Sequence, residues 1–272
     1  MVLAHVVDAW TRGADRDRTV FYWATFLGGL AAPAFLFLAG LGTALSGASK
    51  AARGASRAEV TRLLAWRGLT IFGLAFAFRL QAFVLGLGRP VDLLKVDILN
   101  VMGPSLVLAA ALWGAGAGAV TRVATAAAGT FVLAFGAPLV RAAAWIDNLP
   151  APVQWYLRPT PGHTNFTLLP WVAFVTAGLA TGAALAAVRD EVAERRLHAA
   201  LVLLSLGGAV GAYWASLKPS IYAPGVSTFW GPSPAFFFLR PGIVTAFLPL
   251  CWMLRHVTPA RAAALLPTLG AS

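Results

Sequence analysis

Two pairs of residues in this chain have types and spacing suited to chemistry: His5 and Asp8 in AHVVD, and Asp97 and Asn100 in DILN. Members of each pair are three apart, so on a helix they share a face. Histidine is the usual general base near neutral pH, and a carboxylate beside it fixes its tautomer and raises its basicity. Asp97 lies in Leu93–Trp113, LLKVDILNVMGPSLVLAAALW, which is apolar enough to cross a bilayer. An acid in such a segment is costly unless it meets a partner, a cavity or water, which marks a functional site. The structural reading of Asp97 and Asp92 is that acids favour helix N-termini. Arg79 and Arg240 also sit in apolar runs. Arg79 and Asp97 fall toward the same end of consecutive segments, so an Arg79–Asp97 pair is expected. Lys95 offers Asp92 a partner three residues along the chain. Arg240 either lines a cavity or closes a structural ion pair. The loop RPTPGHTN adds His163 and Asn165, as substrate contacts or as plain exposed residues. No spacing suits a metal site, and there is no phosphate-binding loop and no serine nucleophile elbow.

Apolar segments must position these residues. Of 272 residues, 59% are hydrophobic and only 11% charged, and the mean hydropathy is +0.75. Soluble domains carry about 25% charged residues. Strict two-residue alternation is absent, which argues against a membrane barrel. The expected fold is therefore all-α, a polytopic helical bundle in a membrane. Spans are expected at Phe21–Ser46, Leu63–Leu87, Leu93–Trp113, Ala119–Val140, Phe166–Val188, His198–Leu217 and Pro234–Leu254. Residues 1–10 reach about 15 Å as a helix, against a hydrocarbon core of about 30 Å, so they read as part of a further span. Seven full spans and one partial one make a single domain over residues 1–272. Small-residue pairs at Gly178/Gly182 and Gly207/Gly211 are expected to bring helices close. The single Cys251 excludes an intrachain disulfide.

The net charge of +11 fits basic membrane-face loops better than nucleic acid. Gly47–Arg62 and Arg189–Leu197 are read as loops on one side. That side collects Lys50, Arg53, Arg57, Arg62, Arg122, Arg189, Arg195, Arg196, Arg255 and Arg261. The positive-inside rule makes it cytoplasmic, in a bacterial inner membrane. Most tryptophans and tyrosines, including Trp10, Trp23, Trp145, Trp155, Tyr156, Trp171, Tyr213, Trp214 and Trp230, then fall toward the outer face. They line an outward pocket or form a lopsided aromatic belt.

Several stretches, in order, carry a family resemblance: His5 in MVLAHVVDAW, APAFLFLAG, the basic loop followed by RLLAWRGLTI, DILNVMG, and NFTLLPWVAFVTAGLATG. Together they resemble the bacterial transmembrane acyltransferases related to heparan-alpha-glucosaminide N-acetyltransferase. The resemblance covers most of the chain and rests on the order of degenerate motifs. It implies a multi-helix enzyme that takes an acyl group, usually acetyl, from acyl-CoA on the cytoplasmic side. The acceptor, a sugar amine in the best-known member, receives it on the other side. His5 matches the family's first-helix histidine, and Asp97 with Asn100 its polar motif. Lys50, Arg62 and Arg67 become candidates for the CoA phosphates. The resemblance also implies that the family domain continues beyond both ends of this chain. His5, Asp8 and Asp97 are thus the catalytic candidates, and Arg79, Asn100, His163, Asn165 and Arg240 the substrate-binding ones. The bilayer and a small-molecule or glycan acceptor are the expected partners, and a homo-oligomer is compatible with the sequence. A solute transporter lined by Asp97, Arg79 and Arg240, or an inactive fragment, is the competing reading.

Overall fold

The computed structural model describes residues 2–86, 89–222, 226 and 232–257; the side chains of Val2, Leu3, Ala4, Asp8, His256 and Val257 lie outside that description. The helices in chain order are α1 (Val2–Trp10), α2 (Thr19–Gly29), α3 (Ala31–Ala52), α4 (Arg57–Val84), α5 (Ile98–Ala115), α6 (Ala119–Ala142), α7 (Ala151–Leu157), α8 (Leu168–Ala187), α9 (Glu191–Ser216) and α10 (Pro234–Val257). Seven segments among the described residues are long and apolar enough to cross a membrane, with α2 and α3 counted together. The short α1 precedes them. The chain is a multi-pass membrane protein of the all-α class.

Several boundaries differ from the sequence expectation, each for a local reason. The expected span Phe21–Ser46 is interrupted at Leu30 and runs on to Ala52. Pro33 has no N–H to give the Gly29 carbonyl, so the first turn of α3 cannot continue the ladder of α2. The stretches read as basic loops are mostly helix. Ser56 accepts a hydrogen bond from the Glu59 N–H (3.2 Å) and starts α4 at Arg57. The Asp190 carboxylate accepts from the Ala193 N–H (2.8 Å) and starts α9 at Glu191. Polar caps of this kind satisfy orphan backbone donors, and nearby acids suit the helix dipole. The real connections at this end are therefore residues 53–56, 116–118 and 188–190.

Close helix approach organises the packing. α3 and α8 cross where Gly40 meets the Val175 carbonyl and Gly178 meets the Phe37 carbonyl. A Cβ at either glycine would lie 1.9 Å or 1.8 Å from those oxygens. Gly182 sits against the Leu41 carbonyl in the same seam, as expected. The expected Gly207/Gly211 approach does not occur. Both face open space, and it is Gly208 that lies near the Phe238 carbonyl of α10. α4 and α5 cross at Gly68 and Gly103, backbone against backbone. Between these seams lies a buried core of Leu36, Leu64, Met102, Leu106, Trp113, Phe174, Leu179 and Phe237. α6 covers α8, and α9 packs chiefly on α10.

Candidate active site

A two-way backbone clasp holds the polar loops together. The Val96 N–H donates to the His163 carbonyl (2.8 Å), and the Asn165 N–H donates to the Val96 carbonyl (2.9 Å). The loop before α5 is thereby tied to the loop before α8, which sets Asp97 beside Asn165. Asp97 is the N-cap of α5. Its Oδ1 accepts from the Ile98 N–H (2.8 Å), and its own N–H donates to Asn100 Oδ1 (3.1 Å). Its second oxygen, Oδ2, accepts from Arg79 Nη2 (2.8 Å) at the far end of α4. The helix-start reading and the polar-pocket reading of Asp97 both hold, one for each carboxylate oxygen. Asn100 is 1% exposed. Among the described residues its Nδ2 has no hydrogen-bond partner, and neither has the nearby Tyr156 hydroxyl. Burial pushes the Tyr156 phenol above its ordinary pKa.

These groups face a cavity of about 1010 Å³. His5, Arg79, Asp97, Asn100, Asn165 and Arg240 line it, with Phe78, Phe166 and Trp171. Six of the sequence-predicted site residues thus meet in one place, drawn from α1, α4, α5, the 158–167 loop and α10. The cavity reaches Ala75, nine residues from the end of α4, a depth of about 13 Å. One turn deeper than Ala32 and Trp171, Leu36 and Phe174 are buried. Arg240 lies over the Phe236 ring (3.8 Å) and 6.0 Å from the Trp171 ring.

Other expectations resolve differently. His163 does not line the cavity. Its ring stacks on Trp155, with centroids 4.2 Å apart and planes 4° from parallel, and its backbone serves the clasp. The Asp8 side chain lies outside the described residues. Asp92 pairs with Arg89 (3.4 Å), not Lys95, because its carboxylate also caps the turn by accepting the Arg89 N–H (2.9 Å). Those bonds hold the Asp92 carboxyl below its usual pKa. Of the outer tryptophans and tyrosines, only Trp171 among the described residues lines the cavity, while Trp10, Trp23, Trp145, Tyr213 and Trp214 are exposed. Trp230 is outside the described residues, as is Arg261. Lys50 and Arg62 lie toward the opposite end of the bundle and Arg67 is ten residues into α4; none of the three lines the pocket at that end. That pocket, about 270 Å³, is lined by Trp113, Arg122 and Arg189 among small residues. Arg122 stacks on the Trp113 ring at 3.9 Å.

Two arginines that sequence reasoning passed over build the cavity's supporting loop. Arg141, at the end of α6, donates to Thr167 Oγ1 and to the Leu169 carbonyl (2.9 Å). That carbonyl is free because Leu169 has extended backbone angles inside α8. Arg158 donates to the carbonyls of Arg141 (2.8 Å) and Ala143 and to the Asp147 carboxylate. Their signal in the sequence was arginine in a Pro-rich loop with few acids, which marks carbonyl capping without naming the carbonyls.

The chain is a membrane-spanning helical bundle with a polar cavity at one end, lined in part by aromatic rings. Residues 1–210 match the model of the family described as heparan-alpha-glucosaminide N-acetyltransferase, catalytic, and the chain belongs to that family. Neither curated proteins nor solved structures give a significant match. The match supports a membrane acetyltransferase-type function. It includes His5, Arg79, Asp97, Asn100 and Asn165 but ends before Arg240.

Proposed function

We propose that the chain transfers an acyl group, acetyl in the first instance, from acyl-CoA to a sugar or other polar acceptor seated in the cavity. The observation that supports this is the convergence of His5, Arg79, Asp97, Asn100, Asn165 and Arg240 on that one space, beside the ring of Trp171. A sugar offers hydroxyls to the polar groups and a C–H face to the indole.

In the direct route His5 takes the proton that the acceptor amine or hydroxyl loses as it attacks the thioester carbonyl carbon. The C–S bond breaks, and the proton passes to the departing sulfur, giving the amide or ester and free CoA thiol. In the covalent route the imidazole attacks first, releases CoA, and passes the acyl group on. Asp8 is assigned as the carboxylate that orients His5. Asp97 and Asn100 hold the acceptor's polar groups, with Arg79 fixed by Asp97.

The donor's phosphates are assigned to the basic end, where Lys50, Arg62 and Arg67 are joined by Arg122 and Arg189. By the positive-inside rule that end is cytoplasmic, which makes the cavity the acceptor's side. The test is labelled acetyl-CoA and glucosamine with purified protein, wild type against His5→Ala. Label on the acceptor that disappears in His5→Ala supports the assignment; undiminished transfer in His5→Ala removes His5 from it.

A further inference from the structure

We infer that a crevice between α6 and α9 is a binding site for an anionic glycerophospholipid, with one acyl chain in the crevice and the phosphate at Lys218. α9 packs chiefly on α10, and α6 on α8. Between α6 and α9 lies a cavity of about 560 Å³, walled by Phe135 of α6, Gly211 and Ala215 of α9, and Ala235 and Phe238 of α10. A Cβ at Gly211 would meet nothing within 4 Å among the described residues. This crevice is separate from the cavity proposed for the acceptor. No described residue lines both, and α10 stands between them, presenting Phe238 to one and Arg240 to the other.

Length, width and charge select the occupant. α9 has 26 residues, about 39 Å of helix against a hydrocarbon core of about 30 Å. Its end at Ser216 and the following Lys218 therefore emerge at the level of lipid headgroups. From Ser216 the crevice runs inward to Gly208, about 12 Å, which is most of the roughly 15 Å of hydrocarbon in one leaflet. About 560 Å³ over that length is a slot roughly 7 Å across, narrower than the about 10–12 Å of a helix with its side chains. An acyl chain fits such a slot, and a helix from a partner or a second copy does not. The walls are apolar, and the polar groups gather at the mouth: Ser216, Lys218, Ser220 and Ser233. The Tyr222 hydroxyl donates to the Phe135 carbonyl (2.8 Å), which ties the loop after α9 to α6. An ammonium and hydroxyls are donors suited to phosphate oxygens. The sequence has no Asp or Glu after Glu194, in the first turn of α9 at its opposite end, so the loop at the mouth and α10 carry no acid to repel a phosphate. Asp147, which follows α6, is held by Arg158. A cation at headgroup depth attracts anionic lipid, and the apolar slot below it makes the attraction specific for a phosphate with a chain attached.

The test is native mass spectrometry of the purified full chain in detergent, titrated with phosphatidylglycerol, phosphatidylcholine or glycerol phosphate, with no acyl donor or acceptor present. The expected result is one phosphatidylglycerol retained per chain at a concentration at least fivefold lower than phosphatidylcholine requires. Lys218→Gln should bring the two lipids to parity. Gly211→Leu, whose side chain enters the crevice, should lose both. Gly207→Leu, also in open space but not lining the crevice, should bind as the wild type does. Equal retention of the two lipids by the wild type would overturn the inference. So would a preference that survives Lys218→Gln, or Gly211→Leu binding as well as Gly207→Leu. Glycerol phosphate retained as tightly as phosphatidylglycerol would also overturn it, since the crevice would then contribute nothing. Lys218→Gln, an exposed change in a loop, provides the reading if Gly211→Leu does not fold.

Discussion

Asp97 does two jobs with two oxygens, and substitutions can separate them. Asp97→Asn keeps a side-chain oxygen for the Ile98 N–H, and asparagine caps helices about as well as aspartate. It removes the charge that holds Arg79. The pair's side chains are 24% and 38% exposed, between the exposed pairs worth about 0–1 kcal/mol and the buried ones whose disruption costs about 3–5 kcal/mol. A loss of about 2 kcal/mol follows from that intermediate burial. Asp97→Ala also loses the cap, about 1 kcal/mol more. For a chain of this size about 1 kcal/mol lowers the unfolding midpoint by roughly 2–4 °C, so Asp97→Asn should lower it by about 4–8 °C and Asp97→Ala by about 6–12 °C. The assay is thermal unfolding in detergent, run as a cycle with Arg79→Gln. In that background Asp97→Asn should cost well under half of what it costs alone. Equal cost in both backgrounds would refute the ion pair, and equal midpoints for Asp97→Asn and Asp97→Ala would refute the cap.

Gly178→Ala should prevent α3 and α8 from closing and leave little monodisperse protein in size-exclusion chromatography, because its Cβ would fall 1.8 Å from the Phe37 oxygen; Gly207→Ala, in open space, should be neutral or slightly stabilising. Arg158→Gln should loosen the loop between α6 and α8, read as faster limited proteolysis within residues 143–165 with the remaining spans intact. Asp190→Ala should cost about 1 kcal/mol through its lost cap, visible as a midpoint lowered by a few degrees. Arg122→Gln should weaken retention of the full chain on immobilised CoA more than Arg195→Gln, since Arg122 lines the basic-end pocket and Arg195 does not.

Hydropathy made the bundle and its spans legible, because lipid leaves a chain of this composition no other way to satisfy its backbone. The Arg79–Asp97 pair was legible for the same reason: opposite charges near the same end of consecutive helices have few alternatives. Helix starts were less legible, because charged runs such as RDEVAERRL look like loops until a cap at Asp190 turns them into a first turn. The setting of His163 was hidden, since its backbone bond to Val96 and its ring stack on Trp155 both depend on how the loop folds. The clasp joins Val96 to His163 and Asn165, 67 and 69 positions along the chain, a long-range fact with no local signature. Charge pointed to Lys50, Arg62 and Arg67 for the CoA phosphates, whereas the arginines that line the pocket at that end, Arg122 and Arg189, are brought there by the packing around Trp113.

Sidedness tests the account most directly. The protein is reconstituted in one orientation, established by protease access to residues 53–56. Labelled acetyl-CoA is supplied at the basic end, and glucosamine is confined to the cavity end. The account predicts labelled acceptor on the cavity side, with none when His5→Ala replaces the wild type. Label formed only when donor and acceptor share a compartment, or undiminished in His5→Ala, would contradict it.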